Sequence, residues 1–396
     1  MKPSSKKNSG ADKLPIVCLS TQDYGDLWTR KQRFMNMFAE DGHRVLYIES
    51  QWHWLTYCKR FSGQILRPLR FLSKPRRQKG NLFVATPPLL LPFHQMLKPV
   101  AIVNNLMLGL WLRWTTRRIG IADSLVYSYV PYSHLAIRVL GSKKVLYEKV
   151  DDLAAAKGLV RRSTVESLEK QLLKMSQLVI VTASRLKSLM NGKHESIHVI
   201  PNACEIEHFN REKTAIEPQR LRAIPHPRIG FVGMLAYWID LELIKAIATA
   251  KPEWQFVFIG PVSVDVSRFD ALENIHFVGR VPYDYLPSYM EAIDVFINPY
   301  KRDDIAESCS PLKVFEYLAA GKPVVSVAMP EVMRFVPFVK IADSPESFIT
   351  RIAELLKMTD MERRKLSTQL RALVKNDNWE DRFARTRKLL QETYDL

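Results

Sequence analysis

The stretch from Ile297 to Val327, INPYKRDDIAESCSPLKVFEYLAAGKPVVSV, concentrates the residues best suited to chemistry. An apolar strand ends at Pro299, a polar loop follows, and a short helix begins near Pro311, where proline's missing N–H costs nothing. Gly321 and Pro323 then stop the helix before a second strand. The free N–H groups and positive dipole end of such a helix attract phosphate. Ser308, Ser310 and Lys313 add donors beside them. Glu316 lies about a turn further in; an ionised carboxylate only accepts hydrogen bonds, so it can take both hydroxyl protons of a ribose diol. The set suits a nucleoside diphosphate. The same spacing also fits a plain αβ unit in which Lys313 and Glu316 pair at i, i+3 on a solvated face. Leu312, Phe315 and Ala319 share the helix face expected to meet a sheet, with Lys313, Glu316 and Ala320 on the adjacent one.

The elements that position these groups alternate along the chain. Leu14–Leu19 reads as a buried strand, Ser20–Asp26 as a loop, Trp28–Asp41 as a helix and Val45–Glu49 as the next strand, the opening of a doubly wound parallel sheet. Ligands of such sheets bind beyond the carboxyl ends of strands, which makes Asp23, Tyr24, Arg30 and Arg33 candidates. A basic first helical turn opposes the helix dipole and points to an anion, or else to a solvated helix start. Strands Ser124–Tyr129 and Lys144–Lys149 place His134, Asp151 and Asp152 just past their ends. Either aspartate can orient an acceptor hydroxyl or take its proton. Strands Leu178–Thr182 and Ile197–Pro201 close the first half. Asn210–Pro227 is polar and proline-containing, as a linker would be. A second series follows: Arg228–Val232, Gly233 with a helix to Ala250, Trp254–Gly260, Ile275–Val278, a Tyr283–Ala292 helix and Val295–Pro299. The tail after Ser344 reads as helical.

A chain of 396 residues, 47% hydrophobic and 25% charged, is expected to form two soluble domains. Its formal net charge of +17 calls for an anionic partner. The bias concentrates between Ser50 and Ala122, which contain no Asp or Glu. There Lys59, Arg60, Arg67, Arg70, Lys74, Arg76, Arg77 and Lys79 mix with Trp52, Trp54, Phe61, Leu69 and Phe71, and the helical run Val100–Trp114 is too short to span a bilayer. That composition suits a surface lying on anionic lipid. Nucleic acid is not expected, since no pattern of a nucleic-acid-binding module accompanies the charge. Cys18, Cys58, Cys204 and Cys309 form no CxxC pair, so reduced thiols in a cytoplasmic protein are expected. Nothing has metal-ligand spacing, and no metal or other cofactor is expected.

Ser310 to Val325, SPLKVFEYLAAGKPVV, resembles the donor motif of GT-B glycosyltransferases, in particular the family 4-like group. The runs SQLVIVTASRLKSLM and IHVIPNACEIEHF resemble the end of that family's first domain, and NDNWEDRF its final helix. The resemblance implies two Rossmann-like domains facing a cleft: a tail at 1–14, an acceptor domain over 15–202 with the membrane-facing insertion at 50–122, a donor domain over 203–375, and a helix over 376–396 returning to the first domain. Glu316 matches the family's ribose-binding glutamate. Its partner glutamate falls at Ser308, with Glu307 one position off. Gly233 matches the donor-loop glycine, and Met234 and Asp240 stand where the family carries an Arg and a Lys, so that Lys313, the helix amides and Arg302 or Arg280 must offset the diphosphate charge. Arg280 and Val281 match the nucleobase loop. A similar Trp-Ile-Asp run occurs in the subgroup resembling teichuronic acid biosynthesis enzymes. The implied activity is transfer of a sugar, with retention, from a UDP- or GDP-sugar to a glycan or polyprenyl-linked acceptor in cell-surface polysaccharide synthesis. It would take place at the inner face of the cytoplasmic membrane. An epimerase on the same fold and a non-catalytic scaffold subunit are the alternatives.

Overall fold

A computed structural model describes residues 13–25, 28–59, 66–121, 123–156, 158–210 and 217–394. The expected tail up to residue 12, Asp26, Arg60, Phe61 and linker residues 211–216 lie outside the described residues. The chain divides into two compact units. One comprises residues 1–181, 186–200 and 383–396, the other 182–185 and 201–382.

The first unit is built on strands β1 (Ile16–Leu19), β2 (Val45–Ile48), β3 (Arg76–Arg77), β4 (Leu82–Ala85), β5 (Leu125–Ser128), β6 (Lys144–Lys149), β7 (Leu178–Val181) and β8 (Ile197–Val199). They form an eight-stranded sheet in the order β3-β4-β2-β1-β5-β6-β7-β8. All pairs are parallel except β3 with β4. β1, IVCL, is buried along its whole length, the continuous apolar run of a strand covered on both faces. Helix α1 (Arg30–Glu40) follows the β1 loop, with the Thr29 amide donating to Gln32 Oε1 at 3.1 Å in the manner of a capping box. The stretch expected to face a membrane, 50–122, contributes to the sheet as well as carrying helices. It supplies β3 and β4 to the sheet, β4 being a wholly apolar run, LFVA, that pairs parallel to β2.

The same stretch contains helix α2 (Lys98–Arg118). Gly109 lets it approach α3 (His134–Leu140) closely, since a Cβ there would meet Val139 Cβ at 2.6 Å and the Ala136 carbonyl at 2.8 Å. Its asparagines point inward. Asn104 exchanges hydrogen bonds of 2.8 and 2.9 Å with the Leu91 backbone, and Asn105 accepts from the Ala136 amide. Its apolar residues Ile102, Val103, Leu106, Met107, Leu110 and Trp114 face solvent instead. From Phe383 onward the last helix of the chain belongs to this unit, where Phe383 packs edge-to-face on Phe34 and Phe38.

The second unit carries β9 (Arg228–Val232), β10 (Gln255–Ile259), β11 (Ile275–Gly279), β12 (Val295–Asn298), β13 (Val324–Ser326) and β14 (Lys340–Ile341), in the order β11-β10-β9-β12-β13-β14. Every pairing is parallel. Helix α4 (Leu241–Ala250) starts at Asp240, whose side chain accepts from the Leu243 amide at 3.0 Å. The expected polar loop after Pro299 holds a helical turn, α5 (Asp304–Ser308), because Asp303 caps it by accepting from the Ile305 and Ala306 amides, each at 3.1 Å. Helix α6 (Leu312–Ala319) follows with Pro311 at its cap, one position before the first helical residue. Val314, Phe315, Tyr317, Leu318 and Ala319 are its buried face, and Leu312 is only half-buried. Tyr317, stacked on Phe296 at 4.0 Å, replaces Leu312 as the anchor to the sheet. The tail supplies α7 (Pro345–Leu356), α8 (Asp360–Val374) and α9 (Trp379–Tyr394).

Candidate functional site

In the second unit the ends of β9, β10 and β12 meet the start of α6. Gly233 follows β9 with φ +135°, a conformation only glycine adopts readily. Gly260 follows β10 with φ +142°, and a Cβ there would overlap the Gly233 carbonyl. The two glycines bring backbone from adjacent strands into contact and leave the space above Gly233 to Lys313. A Cβ on Gly233 would lie 3.3 Å from Lys313 Nζ. That ammonium donates to the Tyr300 hydroxyl at 3.2 Å and sits 4.3 Å from the Phe231 ring centre and 4.9 Å from that of Tyr300. Burial among these rings pulls it down to about 8, against the opposing pull of Cys309 and Glu316. The site therefore holds a partly desolvated cation over a backbone that a ligand can approach closely. Tyr300 and Phe231 were not legible as site residues; only their place at strand ends could have pointed to them.

The neighbouring candidates separate. Glu316 is half-buried one turn beyond Lys313. Ser310 is buried; its hydroxyl accepts from the Asn202 amide at 3.3 Å, and its carbonyl accepts from Asn202 Nδ2 at 2.8 Å. Ser308 is buried, with its hydroxyl turned back onto the Asp304 carbonyl at 2.6 Å, inside α5. Glu307 is exposed and 3.6 Å from Arg185. Met234 is half-buried, Val281 half-buried and Arg280 exposed at the end of β11. Arg302 is exposed, 4.0 Å from Asp343. Asp240 caps α4.

In the first unit the residues after β1 are bound up in packing. Asp23 receives both terminal nitrogens of Arg67 at 2.9 Å and the Ser50 amide at 3.1 Å. Arg67 in turn stacks 3.9 Å above Trp52. The arrangement pins the 3₁₀ turn Arg67–Leu72 to the β1 loop. Tyr24 donates to Asn36 at 3.1 Å. Arg30 is 1% exposed and pairs with Glu148, which also accepts from Tyr127. Arg33 is buried, and His134 is half-buried at the start of α3, where burial and then Arg138 lower its imidazole. Asp152 is buried and paired with Lys149 at 3.1 Å, alongside Glu169 at 2.9 Å. Asp151 is open to solvent. Desolvation raises its carboxyl, with Asp152 adding to the rise and Lys31 opposing it, and screening by water limits the effect. Lys31, which the sequence marks only as part of the basic first helical turn, belongs with these residues. It is buried, its ammonium lies 5.6 Å from the Tyr129 ring centre, and burial lowers it against the pull of Asp151 and Glu148.

Among the described residues no group of three His, Cys, Asp or Glu could hold a metal ion, and no helix is long and apolar enough to cross a membrane.

Two α/β units, built on an eight-stranded and a six-stranded sheet, give the chain the GT-B fold. The fold is similar over 97% of the chain to sucrose-phosphate synthase from Thermosynechococcus elongatus, with a TM-score of 0.72 at 14% identity and all of that chain covered. It is also similar over 96% of the chain, and 99% of the other, to Anabaena HepE solved with UDP and glucose, with a TM-score of 0.67 at 14% identity. Residues 226–358, within the second unit, match the family described as Glycosyl transferases group 1. TuaH of Bacillus subtilis, described as a teichuronic acid biosynthesis glycosyltransferase, is 32% identical over 209 residues, 50% of this chain and 52% of its own length. The 2-deoxystreptamine glucosyltransferase of Streptomyces kanamyceticus is 26% identical over 157 residues, 36% of this chain and 39% of its own. The match thus spans about half of one curated relative and less of the other.

Proposed function

We propose that the protein is a glycosyltransferase that moves a sugar from a UDP- or GDP-sugar to a glycan or lipid-linked acceptor in cell-surface polysaccharide synthesis, with retention and without a metal. The observation that carries it is Lys313, held half-desolvated above Gly233 at the head of α6. When the glycosidic bond to the diphosphate breaks, negative charge develops on the leaving oxygen, and a preorganised cation with helix amides stabilises that charge more than the ground state. Glu316 holds the ribose hydroxyls. Gly233, Met234, Ser308, Ser310, Pro311, Leu312, Glu307, Arg280 and Val281 line the donor. On the acceptor side Asp151 takes the proton of the attacking hydroxyl, with the Lys31 ammonium drawing its carboxyl toward the charged form. Asp23, Tyr24, Arg30, Arg33, His134 and Asp152 shape that side from behind.

The acceptor reading includes an anionic membrane surface and the cytoplasmic side. What supports it is α2: its outward face is apolar, with Leu110 63% exposed, and Arg113, Arg117 and Arg118 share the helix. Titration of UDP and GDP by calorimetry tests the donor reading, and no heat for either sinks it. Nucleotide release from a stabilising nucleotide sugar that needs an added acceptor separates transfer from epimerisation.

A further inference from the structure

On the second unit, away from Lys313, a pocket of about 390 Å³ opens between the end of α6 and helix α8. Lys322, Arg363, Arg364 and Arg371 line it together with the hydroxyl-bearing Ser367 and Thr368, and its one carboxylate is Glu291. Glu291 lies 3.8 Å from Lys322, whose ammonium is also held by the Glu291 carbonyl at 2.7 Å and the Ile293 carbonyl at 3.1 Å. The three arginines form no ion pair among the described residues. Arg363 spends two donors on the Leu356 and Met358 carbonyls at 2.7 and 3.1 Å, and Arg371 donates to the Ala320 carbonyl at 3.3 Å. Arg371 Nε is buried with no acceptor among the described residues. Gly321, at φ +70°, lies so close to this wall that a Cβ would overlap Ser367 and come 2.9 Å from Arg371 Nε. Three arginines and Lys322 against the single carboxylate of Glu291, which lies beside Lys322, leave a positive, donor-rich concavity, and guanidinium forks match the oxygens of a phosphate.

We infer that this pocket binds the phosphate of a small phosphomonoester or of a lipid headgroup, at a site separate from the donor site. The proposal does not depend on the transferase reading. Calorimetry with glycerol 3-phosphate at low ionic strength tests it on the full chain, on the Arg364→Gln/Arg371→Gln double variant, on Arg371→Lys and on Lys313→Met. Circular dichroism melting confirms that each variant folds. The expected result is millimolar or tighter binding that weakens at least tenfold in the double variant, recovers in part with Arg371→Lys and is unchanged in Lys313→Met. Equal affinity in all four proteins, loss confined to Lys313→Met, or no binding at millimolar concentration would overturn it. Vesicles of phosphatidic acid in phosphatidylcholine assign the source: reduced pelleting of the double variant marks a lipid phosphate, and unchanged pelleting with the calorimetric loss marks a free one.

Discussion

Replacing Lys313 by Met separates the two effects of a buried cation. Burial holds the ammonium at about 8 against an ordinary 10.5. At about 1.4 kcal/mol per unit, the charged form costs the fold roughly 3 kcal/mol at neutral pH. The Tyr300 hydroxyl and the two rings, at about 0.5–1 kcal/mol each, keep that cost from being larger. Met fills similar volume without the charge, so the melting temperature at pH 7 is expected to stay level or rise slightly. Binding moves the other way. A charge-assisted hydrogen bond to the diphosphate contributes about 1.5–3 kcal/mol, so the variant is expected to bind UDP about 10- to 150-fold more weakly. The pH dependence carries the same signature. Above pH 7 the terminal phosphate of UDP has already titrated, since its second pKa is about 6. Wild-type affinity should then hold level to pH 8 and fall above it by at most tenfold per unit, while the variant's stays flat. Stability shows the reverse slope: the unfolded chain keeps this proton up to about 10.5 while the folded chain loses it near 8, so wild-type stability rises across that window relative to the variant. Calorimetric titration of UDP from pH 7 to 9.5, with melting curves in the same buffers, reads both. An unchanged UDP affinity would remove Lys313 from the site. A large drop in melting temperature alongside weaker binding would make it a packing residue.

Other substitutions test the remaining assignments. Glu316→Ala is expected to weaken nucleotide-sugar binding about tenfold with little change in melting, read by thermal shift; equal stabilisation of both proteins by the donor would count against the ribose role. Arg67→Ala leaves Asp23 without its fork and should destabilise the protein by about 3 kcal/mol in urea titrations, whereas a loss under 1 kcal/mol would show the pair to be incidental. Leu106→Glu with Leu110→Glu should reduce pelleting with anionic vesicles at unchanged fold, and equal pelleting would exclude the outward face of α2 as the lipid contact.

The sequence by itself determined much of this protein, because its signals are local. Runs such as IVCL and VFIN, buried on both faces, announce parallel strands without any knowledge of their neighbours. Gly321 and Pro323 mark the end of α6, and the Lys313 and Glu316 spacing is a property of one helix. What only the tertiary structure decided is which charged residues meet. Arg30 and Lys31 are consecutive in a basic turn, yet β6 brings Glu148 against Arg30, and the segment after it sets Asp151 beside Lys31. Arg67 and Asp23 are 44 residues apart and find each other only because the chain folds back over β1. The inward asparagines and outward leucines of α2 likewise depend on what α3 and the Leu91 backbone present to that helix. Periodicity fixes the faces of a helix, but burial follows from the partner each face meets, and that partner is set by contacts distant in the chain.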